Sequence, residues 1–119
     1  MSKTILVVDD EKMFCEIISE RLRGAGYTVL TAENGQEAVE ILAKNKVDVV
    51  LSDVKMPVMN GMDLLKHVQE LIDKPEMVMM TGYSDYSEKE MVDAGAVAVL
   101  EKPGIWDKLI ATLSTIRLH

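Results

Sequence analysis

Short apolar runs alternate with stretches of helical spacing about five times along this chain. Ile5-Leu6-Val7-Val8 is continuously apolar and breaks off in Asp9-Asp10, the mark of a strand buried on both faces. Over residues 12–23, Met13, Ile17, Ile18 and Leu22 fall near one helical face, and Gly24 and Gly26 end the helix. Residues 27–32 read as a second strand, after which Asn34 caps a helix carrying Ala38, Val39, Ile41 and Leu42. A third strand over 47–53 is again apolar and again ends in a carboxylate, Asp53. Pro57, Asn60 and Gly61 make 55–61 a loop. Met62, Leu64, Leu65, Val68 and Leu71 then line a helix. A fourth strand over 77–81, a short helix over 88–94 and a fifth strand over 97–100 follow. The last helix starts near Trp106 and is expected to bury Leu109, Ile110, Leu113 and Ile116.

Five strands alternating with five helices predict an α/β fold, a parallel sheet with helices on both faces, because parallel strands need crossover connections. Such crossovers are right-handed. In open sheets of this kind the active crevice lies at the carboxyl ends of the strands. At 119 residues the chain makes one domain, 1–119, with no repeat or linker. A net charge of −7 excludes generic binding to nucleic acid or an anionic membrane, both of which need a basic face. The single cysteine, Cys15, shares an apolar helical stripe with Phe14, Ile17 and Ile18, as a buried structural thiol does. No apolar run approaches the ~20 residues that cross a bilayer, and Met1-Ser2-Lys3-Thr4 leads into only four apolar residues before two aspartates, unlike a signal peptide. A cytoplasmic setting is expected.

The strand ends carry an unusual set. Asp9 and Asp10 follow the first strand, Asp53 ends the third, Thr81 ends the fourth, and Lys102-Pro103 follows the fifth. Any one of these has a plain turn or capping explanation; all of them at one sheet edge do not. Three carboxylates against one lysine leave about −2 in one crevice, and like charges held close repel. A divalent cation cancels that excess, and an all-oxygen donor set suits Mg²⁺. Zinc or copper is not expected, since His67 and His119 have no soft ligand near them in the pattern. The loop after the first strand, Asp-Asp-Glu-Lys, is no phosphate cradle for a nucleotide. What remains is a carboxylate nucleophile, expected to be exposed, beside a metal, a hydroxyl and an ammonium. Carboxylates form acyl-phosphates, and cations and donors of this kind stabilise a transferring phosphoryl group. The residues point to an aspartyl-phosphate site on Asp53.

Nearly the whole chain resembles the receiver domain of bacterial two-component response regulators. The resemblance rests on residues 5–11 (Ile-Leu-Val-Val-Asp-Asp-Glu), 53–61 (Asp-Val-Lys-Met-Pro-Val-Met-Asn-Gly), Thr81-Gly82 and Lys102-Pro103. It implies a flavodoxin-like, doubly wound fold with strand order 2-1-3-4-5. It implies that Asp53 takes a phosphoryl group from a histidine kinase, a phosphotransfer protein or small donors such as acetyl phosphate. Asp10 and Asp53 would ligate Mg²⁺ directly, Asp9 would help through water, and the Lys55 backbone carbonyl would complete the protein ligands. Thr81 and Lys102 would contact the phosphoryl oxygens, aided by a cis Lys102–Pro103 peptide. The position of Tyr83 and the Lys55 side chain would tune phosphate lifetime. A downstream protein partner or output domain would read the state from the face formed by the fourth helix, fifth strand and fifth helix.

Three departures fall on that signalling face: Val99 where the family has an aromatic, Gly104 where it has phenylalanine, and an interval from Thr81 to Lys102 about one residue short. Two other readings compete. A small phosphatase or hydrolase would need a separate acid–base residue, and neither histidine is placed to be one. A pure interaction domain would not need the complete acidic pair, acceptor, threonine and lysine. The expected activity is therefore not turnover of a substrate but phosphorylation and dephosphorylation at Asp53 alone.

Overall fold

A computed structural model describes residues 3–82, 86–102 and 105–116, without the side chains of Trp106 and Asp107. Tyr83, Ser84, Gly104, the Lys102–Pro103 peptide and the role of Trp106 lie outside that description. The elements alternate strictly: β1 (Thr4–Val8), α1 (Lys12–Gly24), β2 (Thr28–Ala32), α2 (Gly35–Lys44), β3 (Val49–Asp53), α3 (Gly61–Gln69), β4 (Glu76–Thr81), α4 (Glu88–Asp93), β5 (Ala98–Glu101) and α5 (Ile105–Thr115). The five strands form one parallel sheet in the order β2-β1-β3-β4-β5, as expected.

Alternation along each strand sends neighbouring side chains to opposite layers. Ile5 and Val7 of β1, Val49 and Leu51 of β3, and Val78 and Met80 of β4 pack with Ile18 and Leu22 of α1 and Leu109 and Leu113 of α5. Leu6, Val8, Val50, Met77 and Met79 pack on the other face with Ala38 of α2, Leu64 and Leu65 of α3, and Met91 of α4. The apolar runs of β1 and β3 are therefore continuous because both faces are covered.

Local chemistry fixes the helix starts. The Asn34 side chain accepts from the Glu37 N–H at 2.8 Å, and the Asn60 side chain from the Asp63 N–H at 2.9 Å. Ser87 and Glu90 form a reciprocal capping box at α4. Two expected helix faces need correction. Met13 and Ile17 are 75% and 45% exposed; the buried stripe of α1 is instead Cys15, Ile18, Ser19 and Leu22. Those positions follow the i, i+3, i+4, i+7 rule, and a serine inside the stripe hides it from a hydrophobic count. On α5, Ile110 is 41% exposed while Leu109 and Leu113 are buried. Leu71 lies beyond the end of α3.

Candidate functional site

The carboxyl ends of β1, β3, β4 and β5 converge on one crevice. Asp53 is the last residue of β3 and Thr81 the last of β4, Asp9 and Asp10 follow β1, and Lys102 follows β5. Two contacts fix the acceptor loop. The Gly61 N–H donates to the Val54 carbonyl at 2.8 Å, and the Gly35 N–H donates to the Met59 carbonyl at 3.1 Å. Gly61 is required by space: a methyl there would overlap the Asp53 carbonyl oxygen and meet the Met79 methyl at 2.8 Å. Between these clamps the chain reverses in a tight turn, with the Met59 N–H donating to the Pro57 carbonyl at 2.8 Å and Val58 at φ +68°.

One oxygen each from Asp9, Asp10 and Asp53 lies within 4.8 Å of the others, with Asp9 and Asp53 buried and Asp10 exposed. The Lys102 ammonium sits against this cluster, 3.0 Å from Asp9 Oδ2 and 3.1 Å from Asp53 Oδ2. Two further groups surround it that sequence reasoning did not bring to the site. Glu11 Oε1 is 2.8 Å away, and the Phe14 ring centroid lies 4.6 Å below the nitrogen. Glu11 was within reach of a closer reading, since it continues the acidic run after β1. Phe14 was assigned to a packing stripe, and nothing in the pattern alone ties it to a lysine 88 positions away.

Charge and burial oppose each other here. Burial pushes the Asp9 carboxyl up, against the Glu11 N–H that donates to Asp9 Oδ1 at 2.8 Å and the Lys102 ammonium, which pull it down. Burial likewise pushes Asp53 up, against Lys102 and the backbone N–H groups of Val54 and Lys55. Burial alone would lower the Lys102 value, but its pairing with the Glu11, Asp9 and Asp53 carboxylates outweighs that and holds it well above the usual lysine range. Asp53 is not the exposed nucleophile expected: it is 6% accessible, at the end of a strand buried throughout, with the Lys102 ammonium 3.1 Å from its Oδ2. Cys15, as expected, is buried, and burial raises its thiol.

The residues present fit a hard divalent cation. The cluster is all carboxylate, with no histidine or cysteine among the described members, and Asp9 Oδ2 is buried with an ion pair but no well-angled hydrogen bond. Thr81 Oγ1 is buried without a hydrogen-bond partner. An orphaned hydroxyl at a strand end on the crevice edge of the sheet is one that a ligand oxygen would satisfy. Lys55 contributes its backbone N–H toward Asp53, and its own side chain is exposed.

Comparison with known proteins agrees with this geometry. A family model described as the response regulator receiver domain matches residues 5–114. The transcriptional regulatory protein ZraR of Klebsiella oxytoca is 39% identical over 116 residues, 97% of this chain and 26% of that protein. The autoinducer 1 sensor kinase/phosphatase LuxN of Vibrio campbellii is 38% identical over 102 residues, 86% of this chain and 12% of that protein. The chain thus spans about a quarter or less of these curated relatives. Among solved structures, the response regulator protein TrrA of Thermotoga maritima, in complex with Mg²⁺ and BeF, is similar with a TM-score of 0.85 and 31% identity, covering 94% of this chain and 96% of that one. Chemotaxis protein CheY4 of Vibrio cholerae is similar with a TM-score of 0.87 and 32% identity, covering 98% and 100%.

Proposed function

Because the chain belongs to the response regulator receiver domain family of two-component systems, we propose that residues 1–119 form one phosphoacceptor domain in which Asp53 takes the phosphoryl group. A single observation carries this: the Asp53 carboxylate lies buried within 4.8 Å of two further aspartates and 3.1 Å from a lysine ammonium, at the mouth of a parallel sheet. In the transfer, an Asp53 oxygen bonds to phosphorus as the bond from phosphorus to the donor's leaving atom breaks, and the donor keeps that electron pair. Lys102 pairs with the charge that arrives, and the Thr81 hydroxyl donates to one of the transferred oxygens. Loss of the group to water restores the carboxylate. No part of this needs a separate acid–base residue, so the domain is a switch and not a turnover enzyme.

A bound Mg²⁺ would supply neutralisation of charge on the transferring group. Asp10 and Asp53 would hold it directly, Asp9 through water, with the Lys55 carbonyl as a further ligand. The exposure of Asp10 and the burial of Asp9 under Lys102 support that division. The Mg²⁺ and BeF held by the Thermotoga relative support the metal itself. The donor is a histidine kinase or phosphotransfer protein, and the reader a downstream protein or output domain meeting α4, β5 and α5. Among the described residues no helix is long and apolar enough to cross a membrane, and a cytoplasmic location is proposed.

The test is incubation with acetyl phosphate and Mg²⁺, read by intact mass. One acid-labile phosphoryl group is expected, absent in Asp53→Asn and in EDTA. Full labelling in that variant, or equal labelling in EDTA, would reject the acceptor and the metal respectively.

A further inference from the structure

Of the groups around the Lys102 ammonium, Glu11 stands apart. Asp9 and Asp53 belong to the acid cluster with Asp10; Glu11 does not. Yet Glu11 takes the shortest of the three ion pairs, 2.8 Å against 3.0 and 3.1 Å. It does so from the mouth of the crevice, with its side chain 65% exposed while that of Lys102 is 14% exposed. Its backbone is fixed there, since the Glu11 N–H donates to Asp9 Oδ1 at 2.8 Å. An isolated exposed ion pair contributes little. This one holds a mostly buried lysine that spans 91 positions of chain to reach it.

A divalent cation held by Asp10 and Asp53, with Asp9 reached through water, would compete with the Lys102 ammonium for the negative charge of Asp9 and Asp53. A cation there would repel the ammonium and weaken its pairing with both aspartates, two of its three carboxylate partners. Glu11 is the partner that the cation leaves in place. Resting on the reading of the crevice as a Mg²⁺-dependent phosphoacceptor, we propose that Glu11 is a positioning residue for Lys102. It would receive the ammonium when a bound metal weakens the pairing with Asp9 and Asp53, and so keep the lysine beside the acceptor. The Phe14 face supports the same position from below, since a ring face attracts a cation without competing for the metal.

The experiment measures Mg²⁺ affinity by calorimetry, with no phosphodonor, in wild type, Glu11→Gln, Lys102→Met and the double variant. Glu11→Gln is expected to weaken binding about two- to five-fold in the wild-type background and to have no effect once Lys102 is methionine. Equal weakening in both backgrounds overturns the proposal, because Glu11 would then act on the ion by charge alone. No weakening in either background overturns it as well. A wild-type protein that binds no Mg²⁺ instead rejects the reading of the crevice on which this one rests. A second readout follows the Lys102 ammonium by NMR in Mg²⁺-saturated protein. Its signal should be protected from solvent exchange in wild type and lose that protection in Glu11→Gln; unchanged protection counts against Glu11.

Discussion

The middle of the sheet and its β5 edge are built to different standards. Every residue of β3 is buried, and so are four of the five in β1. In β5 only Leu100 is buried. The helix beside that edge, α4, has six residues and buries Met91 alone, while Val92 and Val97 stand nearly half exposed. Asp53 and its two neighbouring aspartates therefore sit at the tightly packed centre, and Lys102 reaches them from the looser edge. On the expected signalling face β5 and α4 bury little, while α5 is anchored by Ile105, Leu109 and Leu113. If the proposed roles hold, the acceptor sits on the better-packed part of the sheet and part of the readout on the less-packed edge.

The contrast breaks most visibly if the centre yields. Gly61→Ala forces a methyl into the Asp53 carbonyl and should lower stability by about 3 kcal/mol, near the top of the range for overpacking, with phosphorylation lost as well. Urea denaturation measures it, and a variant as stable as wild type would make the centre no stiffer than the edge. Next in size is the metal. Mg²⁺ at a hundred times its dissociation constant should stabilise the fold by about 2.7 kcal/mol, a gain seen in thermal melts and absent in the Asp9→Ala/Asp10→Ala double variant.

That response should also depend on pH in a defined direction. Burial holds Asp9 and Asp53 above the ordinary aspartate range, so the folded protein takes up protons before the unfolded chain does. As pH falls through the window between the raised and ordinary values, metal-free stability contributed by these groups should rise. The Mg²⁺ gain should shrink over the same window, since the cation needs them ionised. Lys102 does not interfere, because its raised value moves its own loss of pairing further into alkali.

The edge calls for smaller effects. Ser87→Ala removes the capping box of α4 and should cost about 1 kcal/mol without changing the rate of phosphorylation. Val99→Ala, at a half-buried site packed toward α4, should cost under about 1 kcal/mol. A short β-branched side chain is stiff at χ1 and has no large rotation to make. Amide shifts on adding beryllofluoride should therefore be larger over residues 81–87 and α4 than around Val99. Shifts at Val99 as large as those in the loop, or loss of phosphorylation-dependent partner binding in Val99→Ala, would remove the distinction.

The same division explains what the sequence disclosed. The β1 and β3 runs were legible because burial on both faces leaves an uninterrupted apolar string. The acids and the lysine were legible because parallel topology sends every strand end to one edge. The buried side of α1 was not, because Ser19 lies inside it and Met13 and Ile17 outside it. Nor was the burial of Asp53, which ends a strand covered on both faces and meets a lysine 49 positions away. Glu11 and Phe14 were missed for the same reason: their importance is a matter of where Lys102 ends up, a tertiary fact.

Methionine is spread unevenly between the two layers of this core. Of the nine in the chain, six are buried among the described residues, and five of these, Met56, Met62, Met77, Met79 and Met91, lie in the layer under α2, α3 and α4. The other layer holds only Met80. An unbranched thioether changes shape at small cost, where a β-branched neighbour would jam. The strand that ends in Thr81 thus meets adaptable thioethers on one face and Leu, Ile and Val on the other, so repacking around it should cost less toward α2, α3 and α4 than toward α1 and α5.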